Sequence, residues 1–260
     1  MPSLFDYKKF HQIAIEKRDA YSKADPFPHI VIDDFLPSLV AERLLAEFPS
    51  PFSIPWKNKV GLHSKKLACN DLSQLPQFTQ EVLLELNSPS FLSFVETLAG
   101  IQGLTSDSDF EGGGLHQIKR GGFLKIHADF NYHTRLSLYR RLNLLLYLNK
   151  DWKEEYGGHL ELWDRSMSSC IEKIPPIFNR CVIFNTTDFS YHGHPNPLRC
   201  PSNMTRKSIA IYYYTKEEKN REERYEHTTL YQKRPFSVAP QDYLDPLLAR
   251  FRDKVGRLMK

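Results

Sequence analysis

An α+β protein with helices around a closed or double-sheet β core is what this sequence predicts, and three observations carry the prediction. The first hundred of its 260 residues read as short helices punctuated by Pro, Ser and Gly. From about residue 104 the texture changes to short β-type runs separated by Gly, Pro, Asn and charged clusters. The aromatic fraction, 13%, suits sheets better than helix bundles.

Taken in order, residues 4–19 form an amphipathic helix with Phe5, Ile13 and Ile15 among charged neighbours, and Pro26-Phe27-Pro28 ends it. His29 to Phe35 is a β-branched strand, and Pro37-Ser38 opens a helix through Phe48 with Leu39, Val40, Leu44 and Leu45 on its buried side. Residues 49–66 are an extended loop rich in Pro, Ser, Lys and Asn. Two helices follow near 77–87 and 89–99, with Ser88-Pro89 between them and Gly100 as the stop. Eight strands are expected at 114–119, 123–129, 140–148, 159–164, 170–174, 180–185, 189–194 and 206–215. That count and spacing suggest a jelly roll. The charged run Lys216–Arg224 is a solvated segment, and residues 242–258 close the chain as a helix with Leu244, Leu247, Leu248, Phe251, Val255 and Leu258 at helical spacing. The expected organisation is one domain, 1–260: helical support over 1–103, a catalytic jelly-roll core over 104–215, and a C-terminal extension over 216–260.

Composition narrows the function. Hydrophobic content of 41% with 25% charged residues describes a soluble globular protein, and a net charge of +4 is too small to argue for nucleic acid. Cys69, Cys170, Cys181 and Cys200 form no CxxC pair and are expected as reduced thiols. No apolar run approaches a membrane span, so no membrane partner and a cytoplasmic location are expected. The oligomeric state stays open, a homodimer among the options.

The chemistry centres on Gly121 to Asp129. His127 and Asp129 sit at i and i+2, so on a strand both reach the same side. An imidazole and a carboxylate are two thirds of the facial triad that binds non-haem Fe(II) with open coordination positions. The third ligand has two candidates, His192 and His194, in Ser190-Tyr191-His192-Gly193-His194-Pro195. Four expected strands lie between them and His127, enough to bring the chain back beside it. His159-x-Glu161 has the same spacing, but counting strands sets it apart from His192. His159 is then expected in solvent or against Trp163, and the remaining histidines on the surface or satisfied in the core. Further on, Arg206-x-Ser208 opens a strand with a guanidinium and a hydroxyl on one face, able to hold a carboxylate together.

In this order the motifs resemble the iron(II)- and 2-oxoglutarate-dependent oxygenases, in their prolyl-hydroxylase-like branch. The resemblance covers about residues 112–215. It rests on Gly-Gly-Phe-Leu before His127-x-Asp129, on Leu146-Tyr147-Leu148-Asn149-Lys150-Asp151-Trp152, on Gly157-Gly158-x-Leu160, on Tyr191-His192 and on Arg206. Pro28 to Leu36 is similar to the lead-in strand of such proteins. The resemblance implies a double-stranded β-helix core flanked by helices. It implies Fe(II) on His127, Asp129 and His192, and 2-oxoglutarate with its remote carboxylate on Arg206, helped by Tyr147 and Ser208. Dioxygen is then the oxidant and ascorbate a possible reductant. The implied reaction hydroxylates an unactivated C–H of a small-molecule or peptidyl substrate and releases succinate and CO2. Desaturation, ring closure and epimerisation belong to the same chemistry, whereas Asp129 argues against halogenation. Two readings from other classes are a cupin-like metal-dependent hydrolase or isomerase, and a binding module without catalysis.

Two departures from the family pattern stand out. His194 follows His192, and the basic residue lies further along than in collagen and oxygen-sensing prolyl hydroxylases. Because Gly193 and Pro195 end the strand, His192 is the better-fixed ligand and His194 lines the mouth. Selectivity is expected from the loop Phe130–Tyr139, the segment 49–66 and the tail beyond 215, with Arg135, Arg140 and Arg141 hinting at an anionic group.

Overall fold

In the computed structural model, which describes residues 4–216 and 226–242, four α-helices pack on one face of a curled antiparallel sheet. Helix α1 spans Tyr7–Ser22, three residues later than the pattern suggested, because the Asp6 side chain accepts from the Lys9 N–H at 3.1 Å and fixes the start. Its buried residues are Phe10, Ala14 and Tyr21, while Ile15 is exposed. After strand β1 (His29–Ile32) comes α2 (Ser38–Ala46), which buries Ala41 and Leu44 and leaves Leu39 in solvent, contrary to expectation.

The segment expected as an extended loop is instead a hairpin, β2 (Lys57–Val60) and β3 (Ser64–Cys69), paired from Lys57↔Ala68 to Val60↔Lys65. Its polar, lysine-rich face hid the strand periodicity. Helix α3 (Gln77–Leu86) and helix α4 (Pro89–Ala99) follow. Ser88 caps the Phe91 N–H at 3.2 Å, and Gly100 ends α4 in the left-handed region at φ 69°. Phe5, Phe10, Phe35, Phe91 and Phe94 interlock α1 with α4. The Phe10–Phe94 rings stack at 4.8 Å, and each such pair adds about 0.5–1.5 kcal/mol beyond its buried area.

The remaining strands are β4 (Thr105–Ser106), β5 (Gly114–Lys119), β6 (Phe123–Ala128), β7 (Tyr132–His133), β8 (Leu138–Tyr147), β9 (Leu160–Trp163), β10 (Cys170–Ile174), β11 (Arg180–Asn185), β12 (His192–His194), β13 (Thr205–Thr215) and β14 (Leu230–Tyr231). All eight expected strands are present, with ends shifted by up to three residues; β4, β7 and β14 are additional two-residue pairings. The main path runs β1-β11-β8-β13-β5-β3-β6-β12-β9-β10, every step antiparallel. β3 makes the turn between the two layers: Leu67–Cys69 pair with β5, whereas Ser64 and Lys65 pair with β6.

Period-two alternation explains how the sheet has two buried faces. On β8, Leu142, Leu144 and Leu146 pack under the helices with Ile209, Ile211 and Tyr213 of β13. Asn143, Leu145 and Tyr147 point the other way, into a cavity between the layers. All four cysteines are free thiols. No helix among the described residues is long and apolar enough to cross a membrane.

β14 lies beside the second half of β6, with Leu230 opposite Ala128 and Tyr231 opposite His127. An ion cluster anchors this tail: Asp242 accepts from Lys125 Nζ at 2.6 Å and from Arg234 Nε at 2.8 Å, with Asp242 and Arg234 buried and Lys125 partly so. Burial works against ionising Asp242, but Arg234 and Lys125 outweigh it and hold its carboxyl below the usual range. A depressed folded pKa contributes stability that is present above the unfolded carboxyl range and lost as pH falls through the folded value. Asp242→Asn should therefore loosen residues 226–242 at neutral pH, costing about 3 kcal/mol locally. Hydrogen exchange should rise there and not in α1–α4; equal exchange in the variant would refute the anchor. The expected terminal helix, 242–258, and most of the charged run 216–224 fall outside the described residues.

Candidate metal and carboxylate site

β12 returns beside β6 as the strand count predicted, and His192 pairs directly with His127 across the ladder. Their ring centroids are 4.5 Å apart. Asp129, one residue beyond β6, closes the group. His127 Nε2 lies 3.4 Å from Asp129 Oδ1, and His192 Nε2 lies 3.4 Å from Asp129 Oδ2. One ligand atom from each of the three residues falls within 4.8 Å of the other two.

The tautomers follow from the backbone. His127 Nδ1 donates to the Lys125 carbonyl at 2.8 Å, and His192 Nδ1 donates to the Ser190 carbonyl at 2.9 Å. Each ring is thereby turned so that Nε2 faces the point it shares with Asp129, which is how imidazole ligands are oriented for a metal. Burial, then the neighbouring His127, lowers the His192 pKa to about 4, so this ring is neutral at physiological pH. Burial alone would raise the Asp129 carboxyl, yet the Arg140 guanidinium holds it well below its ordinary value.

Arg140 is the partner that the sequence analysis missed. It is expected there in or beside a loop, but it lies on β8, 1% exposed, and donates from Nη2 to Asp129 Oδ2 at 3.0 Å. Asn143 donates to the same oxygen at 2.6 Å and accepts from Arg140 Nε at 2.8 Å. Tyr212 lies 3.3 Å beneath the guanidinium carbon and Phe130 stands 4.6 Å away, so the cation is boxed by aromatic faces. The signal was available: Asn143 interrupts an otherwise apolar strand, and a polar group there needs a partner. Arg135, by contrast, pairs with Asp109 at 2.5 Å and takes no part in the cavity.

At the inner end of the cavity, Arg206 and Ser208 share a face with Tyr147, as expected. Arg206 donates to the Gly158 carbonyl at 2.8 Å and to the Tyr147 hydroxyl at 3.3 Å, and Ser208 stands opposite Tyr147 in the ladder. Gly158 makes room for it: a Cβ there would meet Leu198 at 2.6 Å and the Arg206 stem at 3.1 Å, at a backbone φ of +75°. Gly193 has a similar reason. A Cβ between the two histidines would strike the Lys125 carbonyl at 2.8 Å, so β12 can lie close against β6 only with glycine.

His194 is 4% exposed, and neither ring nitrogen has a hydrogen-bond partner. A register shift between His192 and His194 sets its ring apart from the three clustered ligands and nearer Arg206. It lines both the cavity and an outer groove of about 450 Å³ that includes His159, Glu161 and Arg199. The His159-x-Glu161 pair is closer than the strand count indicated, because β9 is the direct neighbour of β12 and Gly193 pairs with Glu161. Side-chain direction sets it apart from the ligands instead: Glu161 accepts from Trp163 Nε1 at 2.9 Å, and His159 bonds Glu154 at 2.9 Å.

Three further residues at the site gave no sequence signal. Lys66 of β3 and His116 of β5 line the cavity, and Tyr231 of β14 stands 5.6 Å from the His127 ring with His63 stacked on it at 4.1 Å.

The donor set fits a divalent iron: two imidazoles and one carboxylate, converging and leaving one side open to the cavity. Residues 113–214 match the family described as the 2OG-Fe(II) oxygenase superfamily. The fold is similar to that of a Pseudomonas putida prolyl-4-hydroxylase, at 15% identity and TM-score 0.54, over 78% of this chain and 99% of the other. It is also similar to a prolyl hydroxylase from Trichoplax adhaerens in complex with a hypoxia inducible factor peptide fragment, at 16% identity and TM-score 0.55, over 80% and 90%. A third likeness, at 19% identity and TM-score 0.52, is to a prolyl 4-hydroxylase from Phytophthora capsici, over 95% of this chain and 77% of that one.

Proposed function

We propose, from the membership of residues 113–214 in the 2OG-Fe(II) oxygenase superfamily, that this 2-oxoglutarate-dependent dioxygenase hydroxylates a C–H bond of a small-molecule or peptidyl substrate. The site would hold Fe(II) and 2-oxoglutarate, and dioxygen would be the oxidant: one oxygen atom goes to the substrate as hydroxyl and the other to 2-oxoglutarate, which leaves as succinate and CO2. The observation that carries the site assignment is the convergence of two backbone-anchored imidazoles and one carboxylate within 4.8 Å.

In this reading each residue of the chain has a definable task. His127, Asp129 and His192 hold the metal. Arg140 and Asn143 keep Asp129 ionised and fix its orientation, which sets the open side of the site. Arg206 takes the remote carboxylate of 2-oxoglutarate, with the Tyr147 and Ser208 hydroxyls beside it. The apolar walls, Leu145, Leu160 and Ile118, exclude water from the reacting atoms. His194 stands between the cavity and the outer groove as a contact for substrate or co-substrate, not as a metal ligand.

The test is an anaerobic Fe(II) titration followed by aeration with 2-oxoglutarate and measurement of succinate. Wild type should bind one Fe(II) and form succinate. His192→Ala should lose the iron, whereas His194→Ala should keep it and change coupling or affinity. Iron retained by His192→Ala and lost by His194→Ala would exchange the two roles. Metal-dependent turnover without any 2-oxoglutarate requirement would point to a hydrolase or isomerase instead.

A further inference from the structure

Among the described residues, Lys66 is the one cation lining the cavity that the reaction, as assigned, leaves without a task. It is part-buried on β3, and its amine has no hydrogen-bond or ion-pair partner among those residues. Leu67 pairs with Gln117, so Lys66 faces the next position of β5, Ile118, and Arg206 pairs with Ile118 from the other side. Lys66 and Arg206 thus flank one buried isoleucine on the inner face of the barrel. The isoleucine side chain stands as an apolar partition between the two cations.

The charge balance of the cavity is uneven. Arg140 is neutralised by Asp129, but Lys66 and Arg206 have no carboxylate partner among the described residues. Fe(II) and the 2-oxoglutarate dianion bring equal and opposite charges, so binding both leaves the surplus in place. Burial, followed by repulsion from Lys59, lowers the Lys66 pKa to about 8, which is the cost of holding an ammonium there without a counter-ion. Approach from outside is biased in the same direction. Residues 51–70 contain Lys57, Lys59, Lys65 and Lys66 and no acidic residue, and Lys66 also lines a surface groove with Lys65 and Lys119.

We infer that Lys66 is a specificity residue: it binds an anionic group, of the carboxylate or phosphate class, on the primary substrate of this enzyme. The inference rests on the assignment of Arg206 to 2-oxoglutarate and adds a second, separate anion position across Ile118. Because Arg206 is already fixed by Gly158 and Tyr147 while Lys66 has no partner among the described residues, the two positions take different ligands.

Calorimetry on protein loaded with redox-inert Mn(II) tests this, with 2-oxoglutarate, acetate and inorganic phosphate as probes. In wild type saturated with 2-oxoglutarate, acetate or phosphate should still bind. Lys66→Met should weaken that binding at least about tenfold, as loss of a charged hydrogen bond predicts, and Lys66→Arg should largely retain it. The affinity for 2-oxoglutarate should stay unchanged in Lys66→Met and fall in Arg206→Met. Thermal melts of Lys66→Met and Lys66→Gln identify a folding failure, in which case the Lys66→Arg and wild-type titrations carry the comparison. No anion binding to the loaded wild type, or a Lys66→Met variant that loses 2-oxoglutarate instead of the probe anion, would overturn the inference. An Arg206→Met variant with normal 2-oxoglutarate affinity would overturn the co-substrate assignment and leave the Lys66 titration to be judged alone.

Discussion

His127→Ala and Asp129→Ala should each abolish Fe(II) binding and succinate formation, but their effects on the fold should differ. Removing the His127 imidazole leaves only one backbone carbonyl, that of Lys125, without its side-chain donor. Removing the Asp129 carboxylate leaves the buried Arg140 guanidinium and Asn143 amide without their shared acceptor. An uncompensated buried charge of that kind costs about 3–5 kcal/mol. Asp129→Ala should therefore lower the melting temperature much more than His127→Ala, while Asp129→Asn keeps an acceptor for Arg140 and falls between them. Iron titration, succinate release and thermal melts on the three variants check this. Full activity in any of them would refute the ligand assignment, and equal melting temperatures would refute the role of Arg140.

The second large effect is expected at Arg206. Arg206→Ala should raise the 2-oxoglutarate concentration needed for half-maximal turnover by roughly tenfold or more, with iron affinity unchanged, since a charge-assisted contact is removed. Tyr147→Phe should do the same more mildly, because only one hydroxyl is lost. Lys207, the next residue on β13, points away from the cavity, and Lys207→Ala should leave 2-oxoglutarate dependence as it was. The comparison reads the face of the strand directly, since a one-residue slip would exchange Arg206 for Lys207. A damaging Lys207→Ala with a harmless Arg206→Ala would disprove the placement.

Most of the architecture was legible in the sequence because local signals and burial agree in it. Ser88-Pro89 and Gly100 bracket α4 as expected, and the apolar runs at 140–148 and 180–185 are central strands of the sheet. The hairpin at 57–69 was not legible. β2 is exposed at every position, so no apolar alternation marks it, and β3 is held in the sheet by β5 and β6, partners distant in sequence. The same distinction separates the residues of the site. His127, Asp129, Arg206 and Ser208 are readable because each pair shares a strand face at i and i+2. Arg140, Lys66 and Tyr231 reach the site from other strands, and their placement depends on register that no short motif encodes. The distance between β9 and β12 was misjudged for that reason as well: counting strands along the chain does not give their order in space.

The direct pairing of His127 with His192 has a thermodynamic consequence. These residues are 65 positions apart in the chain and meet only when both layers of the sheet are in place. An ion held between them binds the folded chain and not the unfolded one, so its binding energy is added to the folding equilibrium. At a free metal concentration a hundredfold above its dissociation constant, that linkage amounts to about 2.7 kcal/mol. The side chains proposed to set up oxidation would then also act as a clasp between the two layers, and loss of metal would loosen the barrel along the β6–β12 seam as well as silence the chemistry.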